Sequence, residues 1–432
     1  MSTGRASAIA LLLAVAALLS GCWDRREPNE VAHVLAVGFD IDDEGSYEIM
    51  AQFVDPMAAR GGTAVGGGPS VLGPAFWVYS AKGHTPFDAA RNLHPIVSRE
   101  VQLTNVEVIL ISERLARAGI MPLLDFIQRD PNLRLAANLA VVEGAVEKVL
   151  GAVFPGTPIP ALALDQLLSP THFTEPAVMA KDMLGDLVEF LRPGQDLALP
   201  RLKVHETGQE ASSEGQEGGS KQGSSHGQGA SVESSMKPPV MYIGGAAFKG
   251  DKMVGWLEGR EAMGLNMVAG ERQRASIVVK SPAGEGLAAL HLTRLKTTVR
   301  PRLIDDEVRI GIDVMAVGYL EDQTGLGPDR PGMDLNDPKV VESLRARFSE
   351  VIRNDIELAV ARARELKADI LGFGNAVYRK LPRTWNDLAD RWDEVFQTVP
   401  LDITVKVTIT RPGMIRNATV PRWLGRPRPD GR

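Results

Sequence analysis

Cysteine is almost absent from this chain: Cys22 is the only one in 432 residues. An intrachain disulfide therefore cannot form, and a zinc site built from several thiolates is excluded. Histidine is scarce as well, because the seven histidines include no His-x-x-x-His pair. The sequence predicts neither a structural disulfide nor a metal site.

Long hydrophobic runs are also missing, apart from Ala8 to Leu19 near the amino terminus. That run has about 12 residues, whereas a membrane-spanning helix needs about 20. Arg5 precedes it, and Leu19-Ser20-Gly21-Cys22 follows it, which resembles the bacterial lipobox. We therefore expect residues 1–21 to be a signal peptide cleaved after Gly21, with diacylglycerol on Cys22. The alternative is an ordinary signal peptide that happens to precede a cysteine.

A strong excess of positive charge is missing too. With 48 Lys and Arg against 54 Asp and Glu, the net charge is -6, which argues against nucleic acid as the main partner. Residues 416–432 depart from this average because they hold five arginines and one aspartate. This basic tail either touches anionic lipid headgroups or is a solvated chain end.

No catalytic motif is present. The sequence has no Gly-x-Ser-x-Gly elbow and no P-loop. Gly372-x-Gly374 is interpreted as the end of a helix followed by a turn, since we expect it to follow a helix and not to open one. Glu113 and Arg117 are interpreted as a surface pair four residues apart on a helix. We therefore predict no catalytic residue, no cofactor other than the lipid on Cys22, and no enzyme.

The chain divides at a segment poor in apolar residues. Residues 207–238 are almost wholly Gly, Ser, Gln, Glu and Lys, a composition that favours a flexible linker. We expect an N-terminal α/β domain over residues 22–206 and a C-terminal α/β domain over residues 239–415, followed by the basic tail. Ala59 to Pro74 is predicted to be a glycine-rich loop within the first domain.

Hydrophobic periodicity and capping residues predict the elements of both domains. The expected strands are Val31–Phe39, Tyr47–Val54, Phe76–Ser80, Val106–Ile111, Leu135–Val142, Val240–Phe248, Met253–Trp256, Ser276–Val279, Leu290–Val299, Val308–Tyr319 and Leu401–Thr410. The expected helices are one capped by Thr85 and running to Val97, one from Ser112 to Gly119, Met121–Arg129, Ala145–Leu150, a helix of about 50 Å from Asp337 to Gly372, and Trp385–Phe396. Strands joined as hairpins and interleaved with helices predict an α+β, multidomain fold with mixed or antiparallel sheets, packed helices and a long helix in the C-terminal domain.

Four stretches of the sequence resemble the Ger(x)C family, the lipoprotein C subunits of bacterial spore germinant receptors. They are Gly21–Glu30, Glu113–Ile120 with Phe126–Asp130, Gly245–Leu257, and Ala368–Gly374 with Trp385, Trp392 and Asp393. The stretches cover both predicted domains in the order that the family has.

The resemblance implies a subunit anchored to the outer face of the inner spore membrane. Its implied partners are a multispanning A subunit and a transporter-like B subunit, together with the lipid bilayer. Trp23, Asp24, Arg25 and Arg26 are candidates for contact with the membrane or a partner, or else they form a flexible tether. A different class of function, a solute-binding lipoprotein that feeds a transporter, is the alternative.

Overall fold

A computed structural model describes residues 31–55, 75–154, 156–169, 183–204, 240–270, 275–282, 286–324 and 337–410. Several predicted features lie outside these residues: the signal peptide with Gly21, the acylated Cys22, residues 23–26, most of the loop at 59–74, the linker at 207–238 and the tail at 416–432. These features stay predictions.

The described residues form thirteen strands and eleven α-helices. The strands are β1 Val31–Ile41, β2 Tyr47–Val54, β3 Phe76–Gly83, β4 Glu100–Gln102, β5 Val108–Ser112, β6 Asn138–Glu143, β7 Ala198–Val204, β8 Val240–Lys249, β9 Lys252–Leu257, β10 Ser276–Lys280, β11 Leu287–Ile304, β12 Glu307–Gln323 and β13 Leu401–Thr410. The helices are α1 Pro86–Arg91, α2 Glu113–Ala118, α3 Met121–Arg129, α4 Val146–Leu150, α5 Pro160–Leu168, α6 Met183–Phe190, α7 Gly259–Ala269, α8 Pro338–Glu365, α9 Phe373–Lys380, α10 Pro382–Leu388 and α11 Trp392–Thr398.

The first nine strands form one mixed sheet in the order β3-β2-β1-β5-β6-β7-β8-β9, with β4 paired to the start of β1. The central strands β1, β5, β6 and β7 are parallel, and antiparallel strands extend the sheet at both sides. The predicted division at residues 207–238 stays a prediction, but the strands on its two sides, β7 and β8, are direct neighbours in this sheet.

Both faces of the first sheet are buried. Alternate residues of β5 point to opposite faces, so Ile109 and Ile111 belong to one apolar core and Val108 and Leu110 to another. Helices α2 and α3 cover the first core, and α4 and α5 cover the second. Near-continuous apolar strands are what a parallel sheet covered on both sides requires.

The second sheet has four strands in the order β10-β11-β12-β13. Its first three strands are antiparallel, and β13 runs parallel to β12. Helix α8 packs on one face, where Leu344, Phe348, Ile352 and Ile356 are buried in a third core. None of the described helices combines the length and the apolarity that a membrane span needs.

Several local predictions are confirmed. The bounds of β2, α3 and β13 agree residue for residue with the expectation. The side chains of Thr85, Ser112 and Asp337 each accept a backbone hydrogen bond at a helix N-terminus, as capping residues should. The predicted α+β class, with mixed sheets and a long helix in the second half, is also confirmed.

Two predicted helix ends were wrong, and so was the interpretation of Gly372. Helix α1 ends at Arg91 instead of Val97. The long helix ends at Glu365, because Lys367 has a left-handed φ of 54° and stops it before Gly372. Gly372 itself, in the left-handed conformation, is the N-cap of α9, so it opens a helix and does not close one.

The helix predicted over Trp385–Phe396 is interrupted. A 3₁₀ turn at Ala389–Arg391 separates α10 from α11. Helices α5, α6, α7 and α9 and strand β7 were not expected from the sequence. Helix α7 was not predicted because Gly264 weakens its helical pattern. A Cβ at this position would overlap the backbone oxygen of Asp355 on α8. The residue is needed for the close approach of the two helices.

Candidate functional site: the junction of the two sheets

Three of the four stretches that carry the family resemblance meet at one place. The turn Lys249–Asp251 joins β8 to β9 at one border of the first sheet. It contacts Ile120, between α2 and α3, on one side, and Asp196 and Asp393 on the other. Asp196 in turn contacts Asp369. We call this place the junction and define it by residues 193–196, 249–251, 368–374 and 392–393.

Asp369 lies at the centre of the junction and is 2% exposed. Its Oδ1 accepts the backbone N–H of Phe373 at 3.0 Å. Its Oδ2 accepts the backbone N–H of Gly374 at 2.7 Å and the indole Nε1–H of Trp392 at 2.9 Å. Burial raises the pKa of the carboxyl to about 6, because the loss of water outweighs these three hydrogen bonds. The side chain thus holds the start of α9 and the start of α11 together.

Asp196 connects this centre to the first sheet. Two hydrogen bonds join the residues: the backbone N–H of Asp196 donates to the carbonyl of Asp369 at 3.0 Å, and the backbone N–H of Asp369 donates to the side-chain Oδ2 of Asp196 at 2.8 Å. The other oxygen of Asp196 accepts the backbone N–H of Gly250 at 3.0 Å. One carboxylate therefore ties the loop before β7, the β8–β9 turn and the Asp369 segment to one another.

Lys249 adds a charged link across the same junction. Its ammonium lies 3.1 Å from Asp196 Oδ2 and 2.5 Å from Asp393 Oδ1. Burial disfavours the ammonium, but the hydrogen bond to Asp393 and the charge of Asp196 outweigh that effect, so the pKa of Lys249 is raised. The charge on Lys249 is therefore held between the first sheet and α11.

Two glycines allow the backbones to approach closely. Gly194 has a φ of 65°, and a Cβ at this position would overlap the ring of Trp385 and lie 2.9 Å from the carbonyl carbon of Gly374. A Cβ on Gly374 would in turn lie 2.5 Å from the oxygen of Gly194 and 2.6 Å from Nε1 of Trp392. The rings of Trp385 and Trp392 pack with centroids 5.6 Å apart and close this side of the junction.

The other side of the junction is fixed by α2 and α3. Gly119, between these helices, has a φ of 129°, and a Cβ there would lie 2.7 Å from Oδ2 of Asp251. The backbone N–H of Ile120 donates to the carbonyl of Asp251 at 2.9 Å. The predicted surface pair on α2 is confirmed, with Arg117 and Glu113 2.7 Å apart and both partly exposed.

A second contact holds the border strand β9 against the long helix. Arg362 of α8 donates from Nε and Nη2 to the carbonyl of Trp256, at 3.1 and 3.0 Å. The guanidinium of Arg201, 5% exposed, lies 4.7 Å from the ring of Trp256 and is bonded to Glu143 and Glu258. The carboxylates and the ring face offset part of the cost of burying this guanidinium.

A cleft of about 360 Å³ opens next to the junction. Its lining combines apolar Leu265 and Leu371 with the cationic side chains of Arg192, Arg379 and Lys380. Across the described parts of the chain, no three histidine, cysteine, aspartate or glutamate side chains lie close enough together to hold a metal ion. The polar groups of the junction instead bond to one another and to the backbone.

Two family models match the chain. The model described as spore germination protein N-terminal domain covers residues 24–204, and the model described as spore germination B3/GerAC like, C-terminal, covers residues 243–413. The chain belongs to the Ger(x)C family of spore germination receptor C subunits. The resemblance predicted from four stretches is thereby confirmed.

Relatives of this Ger(x)C chain extend over nearly its whole length. Spore germination protein KC of Bacillus subtilis (strain 168) is 26% identical over 415 residues, covering 95% of this chain and 96% of its own. The putative spore germination protein YfkR of the same organism is 26% identical over 406 residues, covering 94% and 96%. The crystal structure of the GerBC protein superposes with a TM-score of 0.51 at 17% identity, covering 87% of this chain and 98% of that one, which shows a shared fold.

The Ger(x)C resemblance pointed to Asp369, Trp392 and the Lys249–Asp251 turn, but it did not indicate what they contact. Gly194 and Asp196 were missed. The Pro193-Gly194 pair is an ordinary turn signal, and it was the available clue to a tight loop here. Of the site residues predicted from sequence, Gly21, Cys22, Trp23, Asp24, Arg25 and Arg26 all lie outside the described residues.

Proposed function

We propose that this chain is the membrane-anchored lipoprotein subunit of a spore nutrient-germinant receptor, with a role in assembly and signalling and without catalysis. Membership of the Ger(x)C family and the likeness to spore germination proteins over nearly the whole chain support the receptor role. The sequence Leu19-Ser20-Gly21-Cys22 supports the lipid anchor.

The anchor would hold the folded body close to the bilayer. Strand β1 begins at Val31, and the nine residues from Cys22 to it span at most about 30 Å when fully extended. In this proposal the body lies on the outer face of the inner spore membrane, within reach of the extracytoplasmic surfaces of integral A and B subunits. Two acyl chains on Cys22 would make the attachment stable, since one chain alone binds membranes marginally.

The single observation that carries the non-catalytic role is how the junction uses its polar groups. Both oxygens of Asp369 and both oxygens of Asp196 accept hydrogen bonds from within the chain. An acid or base in catalysis must instead present its oxygen to a reacting group. The junction links elements of the two halves of the chain, which suits a subunit whose folded body acts in an assembly.

The lipid anchor is tested by replacing Cys22 with Ala in the full chain. We expect the variant to leave the membrane fraction, to carry no acyl group by mass spectrometry, and to abolish nutrient-triggered germination. Wild-type mature protein with an intact, unacylated amino terminus would refute the anchor.

The role of the folded body is tested separately with a lipidated stub that ends before β1. The stub keeps Cys22 and residues 23–30 but lacks both sheets. We expect spores with the stub alone to fail to germinate in nutrients. Normal germination with the stub would refute an assembly or signalling role for the body.

The cleft favours a second candidate function, a solute-binding lipoprotein that serves a transporter. Its volume of about 360 Å³ suits a small molecule, and its three cationic side chains, against the one carboxylate of Glu189, suit an anionic group. A ligand present at 100 times its Kd would stabilise the fold by about 2.7 kcal/mol. A thermal-shift screen of the purified chain with small organic anions separates the two functions, because only a binder gains stability.

A further inference from the structure

Strand β13 leaves one edge of the second sheet open. It is the terminal strand of the order β10-β11-β12-β13, and no other described strand pairs with its outer side. Ten residues, Leu401–Thr410, run alongside β12 without a bulge. Exposed strand edges of this length are templates for pairing with another strand.

The outward groups of β13 can be identified from one hydrogen bond. The carbonyl of Pro400 accepts the backbone N–H of Ile310 on β12. Backbone groups alternate in direction along a strand, so the even-numbered residues bond to β12 and the odd-numbered ones point away from it. The free edge therefore presents the N–H and C=O groups of Leu401, Ile403, Val405 and Val407, with Ile409 beyond them.

The apolar side of this edge is only partly covered. Leu401, Ile403, Val405 and Ile409 face the core under α8, yet each is only partly buried. A groove of about 560 Å³ lies between α8 and the first half of β13. Proline within the strand and a bulge, two of the devices that protect natural edges, are both missing from β13. The groove and the partly buried side chains could therefore accommodate apolar side chains of a second strand at this edge.

The charges on the opposite face of β13 favour one pairing, because it alone places opposite charges face to face. Asp402 and Lys406 are exposed, and neither has an ion pair among the described residues. If two copies of β13 pair antiparallel about a two-fold axis at Thr404, each Asp402 faces the Lys406 of the other copy. The same register places Ile403 opposite Val405 and Leu401 opposite Val407, which are the residues with free backbone groups. Axes at Asp402 or Lys406 would instead put like charges opposite each other.

We propose that two copies of this chain associate through the free edges of β13, antiparallel about Thr404, to form one continuous eight-stranded sheet. Four pairs of residues with outward groups would exchange about eight backbone hydrogen bonds. The association is isologous, as a two-fold interface between identical chains must be. The apolar side chains of each β13 would extend the core of the other beside α8.

The outer edge of β13 could instead pair with the segment that follows it, residues 411–432, if that segment folded back as a hairpin. That segment lies outside the described residues, but its sequence argues against it. Pro412-Gly413 would form the connection, and an L-proline followed by glycine favours type I or II turns. These turns splay the strands of a tight hairpin, which prefers types I′ and II′.

Cysteine cross-linking of the full chain in membranes tests the register. Thr404→Cys places two thiols at a non-hydrogen-bonded pair, where the Cα atoms are about 4.5 Å apart and a disulfide can form. Thr408→Cys is the matched control on the same face, because its copies would be about 27 Å apart. We expect a cross-linked dimer from Thr404→Cys and none from Thr408→Cys or from wild type, whose only cysteine is Cys22.

Charge reversal tests the same contact without cysteine chemistry. Asp402→Lys or Lys406→Asp puts like charges opposite each other twice and should raise the dimer dissociation constant roughly tenfold or more. The double variant Asp402→Lys, Lys406→Asp restores both pairs and should restore the dimer. Both positions are exposed, so we expect all three variants to retain the fold.

Two results would overturn the proposal. A full chain that sediments as a monomer but dimerises after deletion of residues 411–432 would show that the tail covers the edge. The second result is a chain that stays monomeric at micromolar concentration with and without the tail and gives no Thr404→Cys cross-link. That result would show that β13 does not pair with a second copy of this chain.

Discussion

The indole Nε1 of Trp392 donates a hydrogen bond of 2.9 Å to the carboxylate of Asp369, 23 residues earlier in the chain. Asp369 is bonded in turn to Asp196, which lies 173 residues away and on the other side of the predicted linker. These two bonds connect the third core, which holds Trp392, to the loop that precedes strand β7 of the first sheet. The stability of the protein should therefore depend on Asp369 more than on an ordinary aspartate.

Replacement of Asp369 by Ala should lower the free energy of unfolding by about 3 kcal/mol or more. The change leaves two backbone N–H groups and one indole N–H buried without an acceptor, and each such group costs about 1–3 kcal/mol. Chemical denaturation of the purified chain measures the difference. Asp387→Ala is the matched control, since Asp387 is exposed and its loss should change stability by about 0.5 kcal/mol or less. Equal effects of the two changes would contradict the central position of Asp369.

The same carboxyl should make stability depend on pH. Its pKa is raised from 3.8 to about 6 in the folded chain, so the folded state holds the proton more tightly than the unfolded state does. The contribution of Asp369 is then complete below about pH 4 and is lost as the pH rises to about 6, by up to about 3 kcal/mol. Asp369→Asn cannot titrate. The free energy of unfolding of the wild type minus that of Asp369→Asn, measured by chemical denaturation, should fall between pH 4 and pH 6. A difference that does not change with pH would refute the raised pKa.

Replacement of Gly194 by Ala should destabilise the junction through steric overlap. The new Cβ would collide with the ring of Trp385, and φ at this position is 65°. Gly250→Ala is a matched control because Gly250 has a similar φ of 59° and nothing lies within 4 Å of the added Cβ. We expect a loss of about 1 kcal/mol for Gly250→Ala from backbone strain alone and at least 2 kcal/mol more for Gly194→Ala. Thermal unfolding of both variants checks this, and similar melting temperatures would argue against the close approach.

Arg201 should be needed to hold β9 in place. Arg201→Leu removes the cation over the ring of Trp256 and leaves Glu143 without its buried partner, so we expect a loss of about 3 kcal/mol. Lys203→Leu removes the other cation bonded to Glu143, but Lys203 is 42% exposed and its pair should contribute less than about 1 kcal/mol. Urea denaturation of the two variants compares them. A larger loss for Lys203→Leu would contradict the assigned role of Arg201.

Local features of the sequence predicted much of the fold. Strands β1, β2 and β13, helix α3 and the three capping residues Thr85, Ser112 and Asp337 depend on contacts within a few residues. The apolar stripe of α8 depends on a repeat of three to four residues, which is visible in any short window. Such features need no knowledge of the rest of the chain.

The junction could be predicted only in part. The family resemblance indicated Asp369 and the Lys249–Asp251 turn, but no local pattern relates them to Gly194 or Asp196. The interpretation of Gly372 as a helix end failed for the same reason, because the helix that it opens is held by Asp369 and packed against a distant loop.

The sequence by itself determined the lipobox pattern, the family, the class of fold and the position of most strands, since these follow from residue order and local periodicity. The tertiary structure alone decided that β8 lies beside β7, that Asp196 meets Asp369, and that β13 is the terminal strand of the second sheet among the described residues. These relationships join residues far apart in the chain. They depend on which surfaces are buried together, and that choice is made by the packing of the whole molecule.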